Sequence, residues 1–117
     1  MASDLPDSFL PLTPATFHIL LTLLDGPHHG YGVKRIVEDR TGGAVTLSAG
    51  TLYTAVQRLE RRSLIEEVEA PAEGESSGSS RWRFYTATAL GRDVAKAELA
   101  RLEADVRAAQ AAFSGGA

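Results

Sequence analysis

Apolar residues recur at helical spacing in four separate stretches, and two short alternating runs stand between the third and the fourth. Phe17, Leu20, Leu21 and Leu24, broadened by Ile19 and Leu23, predict a first helix that is mostly core. Thr13-Pro14 marks its start, since a threonine hydroxyl can accept from the orphan N–H groups of a first turn and proline is tolerated at the first helical position. Gly26-Pro27 stops it, and a second pattern from about Tyr31 to Thr41 puts Val33, Ile36, Val37 and Arg40 along one face before Gly42-Gly43. Ser48 reads as the N-cap of a third helix reaching about Arg62, with Leu52, Val56 and Leu59 as its buried stripe.

Leu64, Ile65 and Val68 open a strand-like run, and Arg81 to Thr88, rich in aromatic and β-branched residues, is a second strand. The Gly, Ser, Glu and Pro stretch between them, Ala70 to Ser80, predicts a long mobile hairpin tip. From Thr88 to about Phe113 the chain is Ala-rich and charged, which predicts a long last helix ending at Ser114-Gly115-Gly116. Residues 1–13 have no periodic pattern and read as a partly disordered arm. The expected fold is therefore mainly α with a small β-hairpin: a winged helix-turn-helix over residues 14–87, a dimerisation helix over 88–113 and a tail at 114–117.

The 117 residues, 44% hydrophobic and 23% charged, suffice for one modest core. There is no cysteine, so disulfides, thiol nucleophiles and cysteine-based zinc sites are excluded together, and with no signal-peptide pattern the expected location is the cytoplasm. The net charge of −3 is unevenly spread. Asp4, Asp7 and Asp25 lie in residues 1–27 and Glu66, Glu67, Glu69, Glu73 and Glu75 in 64–80, blocks without Lys or Arg. Between them, Lys34, Arg35, Arg40, Arg58, Arg61 and Arg62 face only Glu38, Asp39 and Glu60, which concentrates basic charge as a phosphate-contacting surface requires.

The third helix is the candidate reading element, because a helix entering a major groove needs small polar and amide groups for base edges and cations for phosphates. Ser48, Gly50, Thr51, Tyr53, Thr54, Gln57 and Arg58 supply those types, although the pattern alone fits an ordinary solvated face equally well. Arg81 and Arg83 alternate with Trp82 and Phe84, so on a strand both cations share one side. A wing with two arginines beside a polar helix is more specific than either feature, and Lys34 adds a further cation on the second helix.

Nothing resembles a catalytic or cofactor site. His28-His29 lacks a third ligand and reads as polar turn residues rather than a metal pair. Gly30-Tyr31-Gly32 has Arg35 where a dinucleotide fingerprint needs its third glycine. The serines at 76, 77, 79 and 80 have no paired base, and Trp82 reads as core. No enzyme activity, metal or cofactor is expected.

The run His29-Gly30-Tyr31-Gly32-Val33-Lys34-Arg35-Ile36, then Gly42-Gly43, then Leu47 to Glu60 with its Gly50-Thr51-Leu52-Tyr53 core, followed by Leu64-Ile65, resembles the PadR family of transcriptional regulators. Arg83-Phe84-Tyr85-Thr86 and Thr88-Ala89-Leu90-Gly91-Arg92 are similar to the second wing strand and final-helix start of that family, so the likeness covers about residues 14–113. The departures are Ala49 and Thr54 where proline is common, and an acidic wing tip. The resemblance implies a homodimeric winged-helix protein that binds double-stranded operator DNA, often as a repressor, with a small-molecule effector in some members. The short C-terminal part resembles the smaller subgroup with one dimerisation helix.

Ala95, Leu99, Leu102, Val106, Ala109 and Phe113 alternate at intervals of four and three, a seam of period 3.5 that predicts a homodimer through the last helix. The competing expectation is a winged-helix module that binds another protein through the third helix and never touches DNA.

Overall fold

The computed structural model describes residues 5–71 and 83–115. Its elements are α1 (Pro14–Leu24), β1 (His28–His29), α2 (Gly30–Arg40), α3 (Ala49–Arg61), β2 (Ile65–Val68), β3 (Phe84–Ala87) and α4 (Ala89–Gly115). The strands form an antiparallel sheet in the order β1-β3-β2, with Phe84 opposite Val68 on one side and His29 on the other.

Local chemistry sets most of the boundaries. The Thr13 hydroxyl accepts from the Thr16 amide at 3.1 Å with Pro14 beginning the helix, and the Ser48 hydroxyl accepts from the Thr51 amide at 3.1 Å. Gly42 and Gly43 adopt φ of 61° and 86° past the end of α2, a conformation that strains residues with a Cβ. The α3 helix closes with Ser63 at φ 66°, where the Leu64 amide reaches back to the Leu59 carbonyl at 2.9 Å and the Ser63 amide to that of Glu60 at 3.0 Å.

The core lies where α1, α2 and α3 meet the sheet and the first half of α4. Ile19, Leu20, Leu23, Val33, Val37, Leu47, Leu52, Leu59, Leu64, Ile65 and Val94 are buried there. On α1 the buried face also includes Thr22, whose hydroxyl donates to the His18 carbonyl and accepts from Arg40 at 2.9 Å. Arg40, expected beside the apolar positions of α2, thus crosses to tie that helix to α1. Burial, and secondarily the Arg40 charge, holds the His18 imidazole below its ordinary pKa.

Three expectations differ from the structure. Within the segment expected to be a partly disordered arm, Pro6–Phe9 form a 3-10 turn, Phe9 enters the core, and Leu10 and Leu12 pack against it. The reason is long-range: the Leu12 amide donates to Glu98 on α4 at 3.5 Å, and the Arg62 guanidinium covers the Phe9 ring at 4.3 Å. His28 and His29, read as turn residues, form β1, because β3 offers an unpaired edge beside them. The second strand begins at Phe84; Arg81, Trp82 and the tip between 72 and 80 lie outside the described residues.

Only the first turns of α4 are covered. Gly91, Val94, Ala95 and Glu98 are buried, whereas every residue from Glu103 to Gly115 is exposed. Glu98 is held by Arg101 through two hydrogen bonds of 2.7 and 2.8 Å, which keep its carboxyl below the usual pKa. The helix projects from a molecule 58 × 39 × 25 Å across. Among the described residues no helix is long and apolar enough to cross a membrane.

Candidate nucleic-acid interface

The α3 helix has a buried side fixed by Leu52 and Leu59 and an exposed side bearing Gly50, Thr51, Tyr53, Thr54, Gln57, Arg58 and Arg61. The exposed side is held rigid at both ends, by the Ser48 cap and by the Leu64-to-Leu59 closure. Ser48 is itself the capping group: its hydroxyl donates to Thr51 Oγ1 at 3.0 Å as well as accepting from the Thr51 amide. The Thr51 hydroxyl, an acceptor in that pair, keeps its own proton for an outside partner. Among the described residues Arg58 and Arg61 have no carboxylate partner, so no neighbouring ion pair competes with an outside anion for them.

Beside this face lies a groove of about 650 Å³. Tyr31 and Lys34 of α2, Leu52, Tyr53, Val56, Gln57 and Glu60 of α3, Arg83 just before β3 and Tyr85 of β3 border it. The two flanks of α3 therefore differ. Tyr53 and Gln57 turn to the groove and the wing, while Arg58 and Arg62 border a smaller cavity beside Phe9 and Leu12. Within the groove flank, the Gln57 amide donates to the Tyr53 hydroxyl at 3.1 Å.

The wing and α2 supply the other cations. Arg83 is mostly exposed, 3.9 Å from Glu67, and its hydrogen bond to Tyr85 raises its already high pKa. Burial pushes the Tyr85 hydroxyl up in turn. Lys34 pairs with Glu38 at 2.8 Å one turn along α2, an ion pair that lowers the Glu38 pKa, so a phosphate at Lys34 would compete with that carboxylate.

The structure thus gathers Lys34, Gly50, Thr51, Tyr53, Thr54, Gln57, Arg58 and Arg83 around one helix, with Ser48 beneath as its cap, and it adds residues that the sequence reading passed over. Tyr31, 57% exposed with Arg35 against its ring, borders the groove together with Tyr85. His29 caps α2 by accepting from the Gly32 amide at Nδ1, 3.1 Å away. Its position three residues before Gly32 was the available signal, hidden because capping is ordinarily sought in Ser, Thr, Asp and Asn.

Of the expected seam on α4, Leu99, Val106 and Phe113 are 50%, 54% and 87% exposed, Ala109 is exposed and Leu102 half-buried. Ala95 is the exception. At 4% exposure it packs in the chain's own core, because the first turns of α4 lie on α1, and it offers no surface to a second copy.

A model of the "Transcriptional regulator PadR-like family" matches residues 19–97, most of the chain and all of α2, α3 and the sheet. The "Uncharacterized protein X" of Lysinibacillus sphaericus is 30% identical over 74 residues, 63% of this chain and 64% of that protein. The chain thus spans under two thirds of this relative. A solved transcriptional regulator from Clostridium thermocellum superposes with a TM-score of 0.66 at 22% identity, over 81% of this chain and 88% of that one. A Pseudomonas aeruginosa structure described as a "probable transcriptional regulator" superposes at 0.63 with 27% identity, over 86% of this chain and 65% of that one.

Proposed function

The chain belongs to the PadR-like family of transcriptional regulators, and from that premise we propose that it is a homodimeric repressor whose α3 helices read operator DNA. The observation that carries this reading is the exposed face of α3. There Gly50, Thr51, Thr54 and Gln57 stand beside Arg58 and Arg61, with Arg83 across the groove. Small polar and amide groups at a helix surface suit base edges in a major groove, and cations on both flanks suit the phosphates that border it.

In this mechanism the phosphate contacts come from Lys34, Arg58, Arg61 and Arg83, and they set affinity and register. Thr51, Tyr53, Thr54 and Gln57 contact bases or the nearby sugar-phosphate. Two copies joined through α4 place their reading helices on successive major-groove faces, about 34–36 Å apart, of a palindromic site. Occupying a promoter blocks transcription, and an effector would act by changing the separation of the two heads.

The test begins by selecting bound fragments from the source genome, which yields the operator. Gln57→Ala is then measured on the best fragment and on mixed DNA. The expected loss is about 1–3 kcal/mol on the operator and far less on mixed DNA. An equal loss on both would remove Gln57 from sequence reading, and failure to select any fragment would count against DNA as the ligand.

A further inference from the structure

We infer that Tyr53 is a positioning residue for sequence reading: its hydroxyl holds the Gln57 amide in the orientation that selects adenine. The inference rests on the proposal that α3 contacts DNA, and it adds which base the helix prefers and which residue enforces the preference.

Tyr53 and Gln57 stand one turn apart on the groove flank of α3, where side chains four residues apart are neighbours. Gln57 Nε2 donates to Tyr53 Oη at 3.1 Å, and both side chains are otherwise exposed, Tyr53 by 64%. A free glutamine turns about three side-chain bonds and presents its amide either way round. One hydrogen bond to a phenol on a helix capped at both ends biases that freedom toward one orientation before DNA arrives.

The bond also decides what remains on display. One amide N–H is committed to Tyr53, leaving one N–H and the carbonyl oxygen of Gln57 for a base. Adenine offers a matching pair in the major groove, an N7 acceptor and an N6 donor. Guanine offers two acceptors, N7 and O6, so the Gln57 oxygen would face a guanine oxygen without a proton between them. A glutamine free to turn its amide could meet guanine with its N–H groups instead. The Tyr53 hydroxyl, accepting from Gln57, keeps its own proton for a neighbouring phosphate or base acceptor.

Two measurements test the inference. The chain has two side-chain amides, Gln57 and Gln110, so their NMR signals are easily told apart. In the free protein, Tyr53→Phe should increase the mobility of the Gln57 amide and leave that of Gln110 unchanged. Equal Gln57 mobility in both proteins would overturn the inference whatever the ligand.

The second measurement uses the selected operator and duplexes carrying single A·T to G·C exchanges, with wild type, Tyr53→Phe, Gln57→Ala and the double variant. Tyr53→Phe should lower discrimination about threefold to tenfold, at the same base pair that Gln57→Ala affects, and the double variant should discriminate no worse than Gln57→Ala. A uniform loss over all duplexes, or an effect at a different base pair, would overturn the inference while leaving α3 as the reading helix. Wild type that binds no duplex would overturn both, even with the Tyr53 to Gln57 bond confirmed by NMR.

Discussion

Gly91 shows how one residue fixes the place of a whole helix. A Cβ there would overlap the backbone oxygen of Leu64, and that oxygen is already held by the Thr88 amide at 3.0 Å. The carbonyl cannot step aside without moving the start of β2. Alanine is the better helix former by roughly 1 kcal/mol, yet here the overlap outweighs that gain. Gly91→Ala is expected to destabilise the fold by about 1–3 kcal/mol, read as a lower urea midpoint at unchanged slope. A variant as stable as wild type would contradict so close an approach of α4 to β2. In the sequence Gly91 is visible only as an isolated glycine near the start of a helix, since its reason lies across the fold. Thr13 and Ser48 are legible as caps because capping is local, whereas Arg62 reads as a surface cation until Phe9 is seen beneath it.

Among elements, α4 is the one whose period and surroundings give different information. The recurrence at four and three was plain along the chain, but repetition does not say which repeats meet the same molecule and which meet another. Ala95 packs on the core, and the apolar positions from Leu99 to Phe113 lie along a projecting helix. An exposed apolar strip of this kind calls for cover, and in the proposed dimer a second α4 would supply the matching 3.5-residue period. Leu99→Asp combined with Leu102→Asp is therefore expected to give a monomer with an intact α1–α3 core and much weaker operator binding. Sedimentation equilibrium checks this, and a double variant that remains dimeric with unchanged affinity would place the interface elsewhere. The segment from Leu5 to Leu12 was illegible for the opposite reason. It has no period, and what orders it is an amide and a ring meeting Glu98 and Arg62, 86 and 53 positions away along the chain.

For the molecule as a whole, the distribution of charge matters more than its sum. A net −3 would repel a polyanion at long range. The exposed surface of α3 nevertheless presents Arg58 and Arg61 without carboxylate partners among the described residues, and Arg83 stands across the groove. Acidic residues gather instead on β2, at Glu66 and Glu67, and just after it at Glu69. The central claim is that this basic, polar face binds DNA by neutralising phosphates. The most direct test is the salt dependence of wild-type binding to mixed genomic DNA, followed as log K against log salt concentration. Each neutralised phosphate contributes about −0.9 to the slope. A dimer using three or more cations per reading head should therefore give a slope of about −5 or steeper. A slope near zero, or no binding at low salt, would contradict the claim and make the α3 face a surface for another kind of partner.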